Sequence, residues 1–203
     1  YRAVTERGGL PPFFLEPDTP ADWPAHFTAA GFTVLATYTS SLVDPVPPPS
    51  ARMDETATRL LARGYHVRPL DPTRAAAELD ALYDVSIAAF ADNFLYTPIG
   101  RDEFHAQYAA ILPYVDPRLV LLAEHDGRAA GYVFAVPDLL ELKRAGRATT
   151  AVLKTLAVDP AHAGAGPEQQ LRRRIEQHAD DDHHQGQARH LSAPIAPRDT
   201  GDA

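Results

Sequence analysis

Cysteine is absent from the 203 residues, which removes disulfides, thiolate metal sites and a thiolate nucleophile. Ser, His, Asp, Glu and Tyr are left to carry any chemistry. Methionine occurs once, at Met53, so residue 1 is not an initiator. No window holds eighteen uninterrupted apolar residues, and no basic segment leads into an apolar run near the start. Neither a membrane span nor a secretory signal is legible, and a soluble cytoplasmic protein with no membrane partner is expected. Basic charge is also short: 19 Lys+Arg stand against 27 Asp+Glu, a net charge of -8. Such a surface repels a phosphate backbone unless its cations cluster, and only Arg172 to Arg174 do, so no nucleic-acid partner is expected. A G-x-S-x-G nucleophile elbow is missing too, which leaves a serine hydrolase without support.

What is present suffices for a core, since 45% of the residues are hydrophobic. Residues 11 to 43 read as strand, helix, strand. "PFFLEP" is a short apolar run, Thr19 before Pro20 is placed to cap a helix that Gly31 stops, and "TVLATYTSSL" is β-branched and aromatic. "VDPVPPPS" then puts four prolines into eight residues, a stiff linker. "ARMDETATRLLARGY" reads as a short helix that buries Leu60 and Leu61 and ends at Gly64.

A new unit is expected from Tyr65, opening on the strand "YHVRPL". A helix follows with Leu79, Leu82, Tyr83, Ile87 and Phe90 near helical spacing. A second, from about Arg101 to Leu112, places Phe104, Tyr108 and Ile111 on one face before Pro113. "RLVLLAEHDGRAAGYVFAVPD" is a hairpin turning at Asp126-Gly127, a dipeptide that tolerates positive φ. "ATTAVLKTLAV" adds a strand that runs into spaced glycines and a helix. The order gives an α/β fold with a mixed, mainly antiparallel sheet flanked by helices. Residues 180 to 203 show no apolar period and read as a polar, disordered tail that leaves the fold incomplete at its C-terminal end.

From Tyr65 to about Ala179 the chain resembles the GCN5-related N-acetyltransferase (GNAT) family. "LLAEHDGRAAGYVF" resembles its central hairpin and "LKTLAVDPAHAGAG" the strand and pyrophosphate loop that follow. The resemblance implies acetyl-CoA as cosubstrate and an amine, small-molecule or peptide, as acetyl acceptor. It implies that the backbone of Leu156, Ala157 and Val158 pairs with the pantetheine arm. Ala163, Gly164, Ala165 and Gly166 would then cradle the pyrophosphate at a helix N-terminus. The chain departs from the family pattern at Ala163, where Gln or Arg is usual, and at Glu168, where a small residue is usual; Pro167 has no N–H to donate. "PPFFLEPDTPADWPAHFTAAGFTVLATYTSSL" resembles the closing strand-helix-strand of a preceding GNAT-like repeat. There Phe27 occupies the position at which many members carry a thiolate-protonating tyrosine. The expected organisation is therefore a segment of a tandem-GNAT protein: residues 1–44 from one repeat, 45–64 a Pro-rich linker and short helix, 65–179 an acyltransferase domain, and 180–203 the tail.

No catalytic residue stands out. A general base must deprotonate the acceptor amine, and Glu124 or His125 offers the chemistry, although charge at a hairpin tip is ordinarily just solvated. Tyr96, between the two early helices, is a candidate for the acceptor pocket, or simply packs. The His-Asp run 178–184 has metal-ligand types without fixed geometry, and no metal is expected. Two functions remain open: an N-acetyltransferase, and a degenerate GNAT-like domain with a structural or partner-binding role.

Overall fold

The computed structural model describes residues 2–46, 48, 50–109, 112, 115–181 and 187–191. Its centre is the hairpin of β3 (Val120–His125) and β4 (Arg128–Pro137), joined through Asp126 at φ 49° and Gly127 at φ 74°. That pair of positive φ values gives a twist matching the strands, and it is why an acidic residue and a glycine stand there. Beside β3 lies β2 (Tyr65–Pro69), and beside β4 lies β5 (Thr150–Val158), all antiparallel. The sheet continues through β6 (Gln187–Leu191), parallel to β5, to β1 (Ser40–Val43), antiparallel to β6. The strand order is β1-β6-β5-β4-β3-β2.

Both faces of the central strands are covered, so their sequences are apolar runs rather than alternations. Val120, Leu122, Tyr132, Phe134 and Ala157 face α3 (Ala75–Phe90) and α4 (Arg101–Ala109). Leu121, Ala123, Val133, Ala135 and Leu153 face Leu171 and Ile175 of α6 (Pro167–Asp181). An ion-pair network fastens α3 to the strands: Arg68 donates to both oxygens of Glu78, at 2.8 and 2.9 Å, and to Glu124 at 2.8 Å. Glu78 is only 1% exposed, and its hydrogen bonds hold the Arg68 guanidinium above even its ordinary pKa against the opposing effect of burial, with Glu124 adding.

Several local expectations are corrected. "PFFLEP" is a turn, not a strand, because its prolines remove ladder donors; Phe13 is instead a buried anchor, and the Phe14 amide donates to Asp138 at 3.0 Å. The helix beyond it, α1 (Trp23–Ala29), is present, with Gly31 at φ 89° after its end. Thr19 does not cap it; its hydroxyl accepts the Val4 amide at 3.0 Å. Of "TVLATYTSSL" only its last three residues belong to a strand, β1 (Ser40–Val43), with an isolated bridge at Thr37. In α2 (Ala51–Ala62) Leu60 is buried but Leu61 is exposed, one step round the helix. The second early helix is described to Ala109; Ile111 and Pro113 lie outside the described residues. The sequence reading missed α5 (Leu139–Ala145), capped by Asp138 through the amides of Leu140 and Glu141. Strand β6 falls inside the segment expected to be a polar tail.

Candidate functional site

The site candidates gather along one edge of β5 and the loop after it. Strand β5 pairs with β4 from Ala151 to Val158, but with β6 only from Thr150 to Leu153. At the limit of that pairing β5 carries an extra residue. Leu153 opposes Ala135 and Thr155 opposes Phe134, which leaves Lys154 as a bulge. A bulge bends its strand; beyond it β5 stays paired with β4 to Val158, and on its other side Leu156, Ala157 and Val158 have no strand beside them among the described residues. Although Lys154 is exposed overall, desolvation of its ammonium lowers its pKa below the usual value, and the charge of Arg2 adds to the effect. On the paired side Leu156 opposes Val133, Ala157 opposes Tyr132 and Val158 opposes Gly131. A Cβ at Gly131 would stand 2.8 Å from the Ala157 carbonyl oxygen, so the hairpin glycine lets the two strands close.

After Val158 the Asp159 amide donates to the Ala130 carbonyl at 3.0 Å, and the Asp159 side chain accepts from Ala161 at 2.8 Å to start a single 3-10 turn, Pro160–His162. Two of the four expected cradle amides are consumed in this turn: Ala163 donates to Pro160 at 3.2 Å and Ala165 to His162 at 3.2 Å. The amides of Gly164, Gly166 and Glu168 have no acceptor among the described residues. The two glycines serve different ends. Gly164, at φ 77°, faces open space, whereas a Cβ on Gly166, at φ 106°, would lie 3.1 Å from Thr56 Cγ2 and 3.8 Å from Leu60 Cδ1 of α2. Ala165 packs with Leu60, Tyr65 and Ala130, and Arg173 pairs with Asp54, so α2 lies over the inner half of the loop. Pro167 is buried at the first turn of α6, where its missing N–H costs nothing, and one carboxylate oxygen of Glu168 is shut from solvent without a donor.

Neither candidate base is free. Glu124 is held by Arg68, two strands away from β5. The His125 ring lies 4.4 Å from that of Tyr65, and its Nε2 is 3.1 Å from the Arg63 carbonyl. Tyr65 spends its hydroxyl on His162 Nδ1 at 2.8 Å. Tyr96 packs against Phe90 at 5.9 Å, and its pKa is raised, first by burial and then by Tyr83. Phe27 stacks edge-on with Trp23 and Phe32 inside the N-terminal segment. Among the described residues no group of His, Asp and Glu forms a metal site; residues 182–184 of the His-Asp run lie outside them.

One residue on β4, across from the candidate edge, escaped sequence reasoning. Tyr132, opposite Ala157, is buried with its hydroxyl 2.8 Å from Ser86 Oγ. Ser86 gives its own proton to the Leu82 carbonyl at 2.6 Å, so Tyr132 is the donor in the pair. Burial, only partly countered by Ser86, pushes its pKa far up and keeps it neutral. An apolar cavity of about 20 Å³ adjoins it between the sheet, α3 and α4, lined by Leu79, Leu82, Phe104 and Phe134 among others. It has room for about one water and is a feature of the core rather than a groove.

No protein-family model matches the chain. A GCN5-related N-acetyltransferase from Sphaerobacter thermophilus superposes with a TM-score of 0.61 at 15% identity, over 89% of this chain and 49% of that one. The chain has the GNAT fold. The C-terminal domain of a protein described as a lysylphosphatidylglycerol synthetase, from Agrobacterium fabrum, matches with a TM-score of 0.51 and 15% identity, over 86% of this chain and 52% of that one. In sequence, the GNAT-fold chain is 34% identical over 83 residues to a bacterial ceramide synthase from Caulobacter vibrioides, which covers 41% of this chain and 22% of the synthase. It thus spans about half the length of the two solved structures and a smaller part of the synthase. No described helix is long and apolar enough to cross a membrane.

Proposed function

We propose that the chain belongs to an N-acetyltransferase that moves an acetyl group from acetyl-CoA to a primary amine of a small molecule or peptide. The observation that carries this reading is the β5 edge of Leu156, Ala157 and Val158, beside which no strand lies among the described residues, directly upstream of a loop with unaccepted amides at Gly164, Gly166 and Glu168. The edge of Leu156, Ala157 and Val158 offers backbone groups suited to an extended amide-bearing arm. Gly164 has the space and φ for close approach by an anion, and the N-terminus of α6 favours negative charge there. Bound acetyl-CoA would supply the activated thioester. The protein's part is to hold that cosubstrate along β5 and to exclude water with the apolar surroundings of Tyr132 and Ala157. The stretch shared with the ceramide synthase supports acyl transfer in general. We further propose that residues 1–44 are the closing part of a preceding repeat, so that the chain is a segment of a tandem protein; the double length of the two solved structures supports this.

A second reading, a GNAT-fold domain without turnover, is favoured by α2. Thr56 and Leu60 occupy the space beside Gly166, and the Ala163 and Ala165 amides are already bonded. Calorimetric titration with acetyl-CoA separates the two. Binding at micromolar concentration, lost in Gly164→Glu, is the expected outcome for the transferase; no heat at millimolar acetyl-CoA leaves the second reading.

A further inference from the structure

At the opposite end of β5 from the glycine loop, the chain presents apolar and basic groups that the acyl-transfer reading does not use. In α5, Leu139 and Leu142 are each 43% exposed. At about 100° per residue they and Lys143 fall within one sector of about 100° on the helix surface. Lys143, Arg144 and Arg147 are all exposed. The two acids of this segment are withdrawn from that surface. Asp138 is buried, bonded to the amides of Phe14, Leu140 and Glu141, while Glu141 accepts from Thr149 and Thr150.

The N-terminal segment widens the patch. It docks on α5 through Phe14 and through Arg144, which donates to the Pro12 carbonyl at 2.9 Å. Beside those contacts Leu15 is 44% exposed at φ 70°, a conformation an apolar side chain rarely takes, and Leu10 is 46% exposed. Four exposed leucines and three cations therefore stand on α5 and the segment docked on it, with the acids of α5 itself turned inward and the exposed Asp18 beyond them paired with Arg7. The net charge of -8 does not cancel this local charge, because charges farther away than about 8–10 Å are screened at physiological salt.

We propose that this surface, formed by α5 and residues 10–15, docks reversibly on an anionic lipid bilayer. Leucines entering the headgroup region and cations at the lipid phosphates are the chemistry of interfacial binding. Docking there leaves the glycine loop free, so it does not depend on the acyl-transfer reading. Co-sedimentation with phosphatidylcholine vesicles, with and without about 30 mol% phosphatidylglycerol, tests it. Binding is expected to the anionic vesicles only, weakening in about 0.5 M NaCl. Lys143→Glu with Arg147→Glu, which spares the Arg144 bond to Pro12, is expected to lower it by about tenfold or more. Leu139→Ser with Leu142→Ser should lower it while keeping every cation, the thermal melt being unchanged in both variants. The proposal is overturned if anionic vesicles are not bound, if neither variant weakens binding, or if the leucine variant alters only self-association of the protein.

Discussion

Glu141 illustrates how single side chains hold this fold's connections. It accepts three hydrogen bonds, from the Thr149 amide at 3.0 Å, the Thr149 hydroxyl at 2.5 Å and the Thr150 amide at 2.9 Å, and so ties α5 to the start of β5. Burial raises its pKa, but these bonds outweigh burial and leave the carboxyl below its ordinary value. A depressed folded pKa means stability that is complete above the unfolded value, about pH 4.3, and lost as pH falls through the folded one. Glu141→Gln is therefore expected to destabilise by about 1–2 kcal/mol at neutral pH. The gap from the wild type should narrow below about pH 4 in thermal melts taken across pH. A gap that stays constant from neutral to acid pH would refute the assignment. The same residue was readable in advance: Asp138, then the apolar pair Leu139-Leu140, then Glu141 three positions on is a helix-start signature, which the preceding strand-like run "YVFAVP" obscured.

Among the elements, α2 changes the meaning of the glycine loop. Sequence alone suggested that both glycines make room for a phosphate, since "AGAG" between a strand and a helix is all that a sequence displays. The structure divides them, Gly164 facing open space and Gly166 facing Thr56 and Leu60. Leu60 is 2% exposed and joins Tyr65, Ala130 and Ala165. Leu60→Ala is expected to cost about 2–4 kcal/mol in urea denaturation, as for other buried leucines. A cost below about 0.5 kcal/mol would mean that α2 rests only loosely on the loop. The hairpin, α3 and β5 were legible because each repeats a local signal: the Asp-Gly turn, helical spacing, or a β-branched run. The bulge at Lys154 was not, because it exists only in the register between two strands. The ties of Glu124 and His125 to Arg68 and Arg63 also required the folded arrangement, and they remove both from the pool of ready bases.

At the level of the whole molecule, the N-terminal segment is joined to the rest by three kinds of contact. Phe13 is buried, Phe14 and Arg144 make hydrogen bonds across more than a hundred residues, and β1 pairs with β6. The sequence left open whether this segment closes the sheet, because nothing in "SSLV" or "QARHL" names its partner. Short, half-polar strands are specified by what lies beside them. Removing residues 1–48 is expected to lower the thermal midpoint of the remainder by several degrees, since it takes away a strand and a buried phenylalanine. An unchanged midpoint would mean that the pairing of Ser40–Val43 contributes nothing.

The pairing of β1 with β6 also orders the chain in time. Of the six strands described, Ser40–Val43 leave the ribosome first, yet their partner Ala188–Leu191 comes almost 150 residues later. Until then the first strand waits with an open edge while the hairpin, β2 and β5 assemble from near neighbours. Closing so long a loop is entropically costly and slow relative to local contacts. The earliest of these six strands is thus the last to be paired, and while it waits its edge is open to a chaperone, a protease or the edge of another copy.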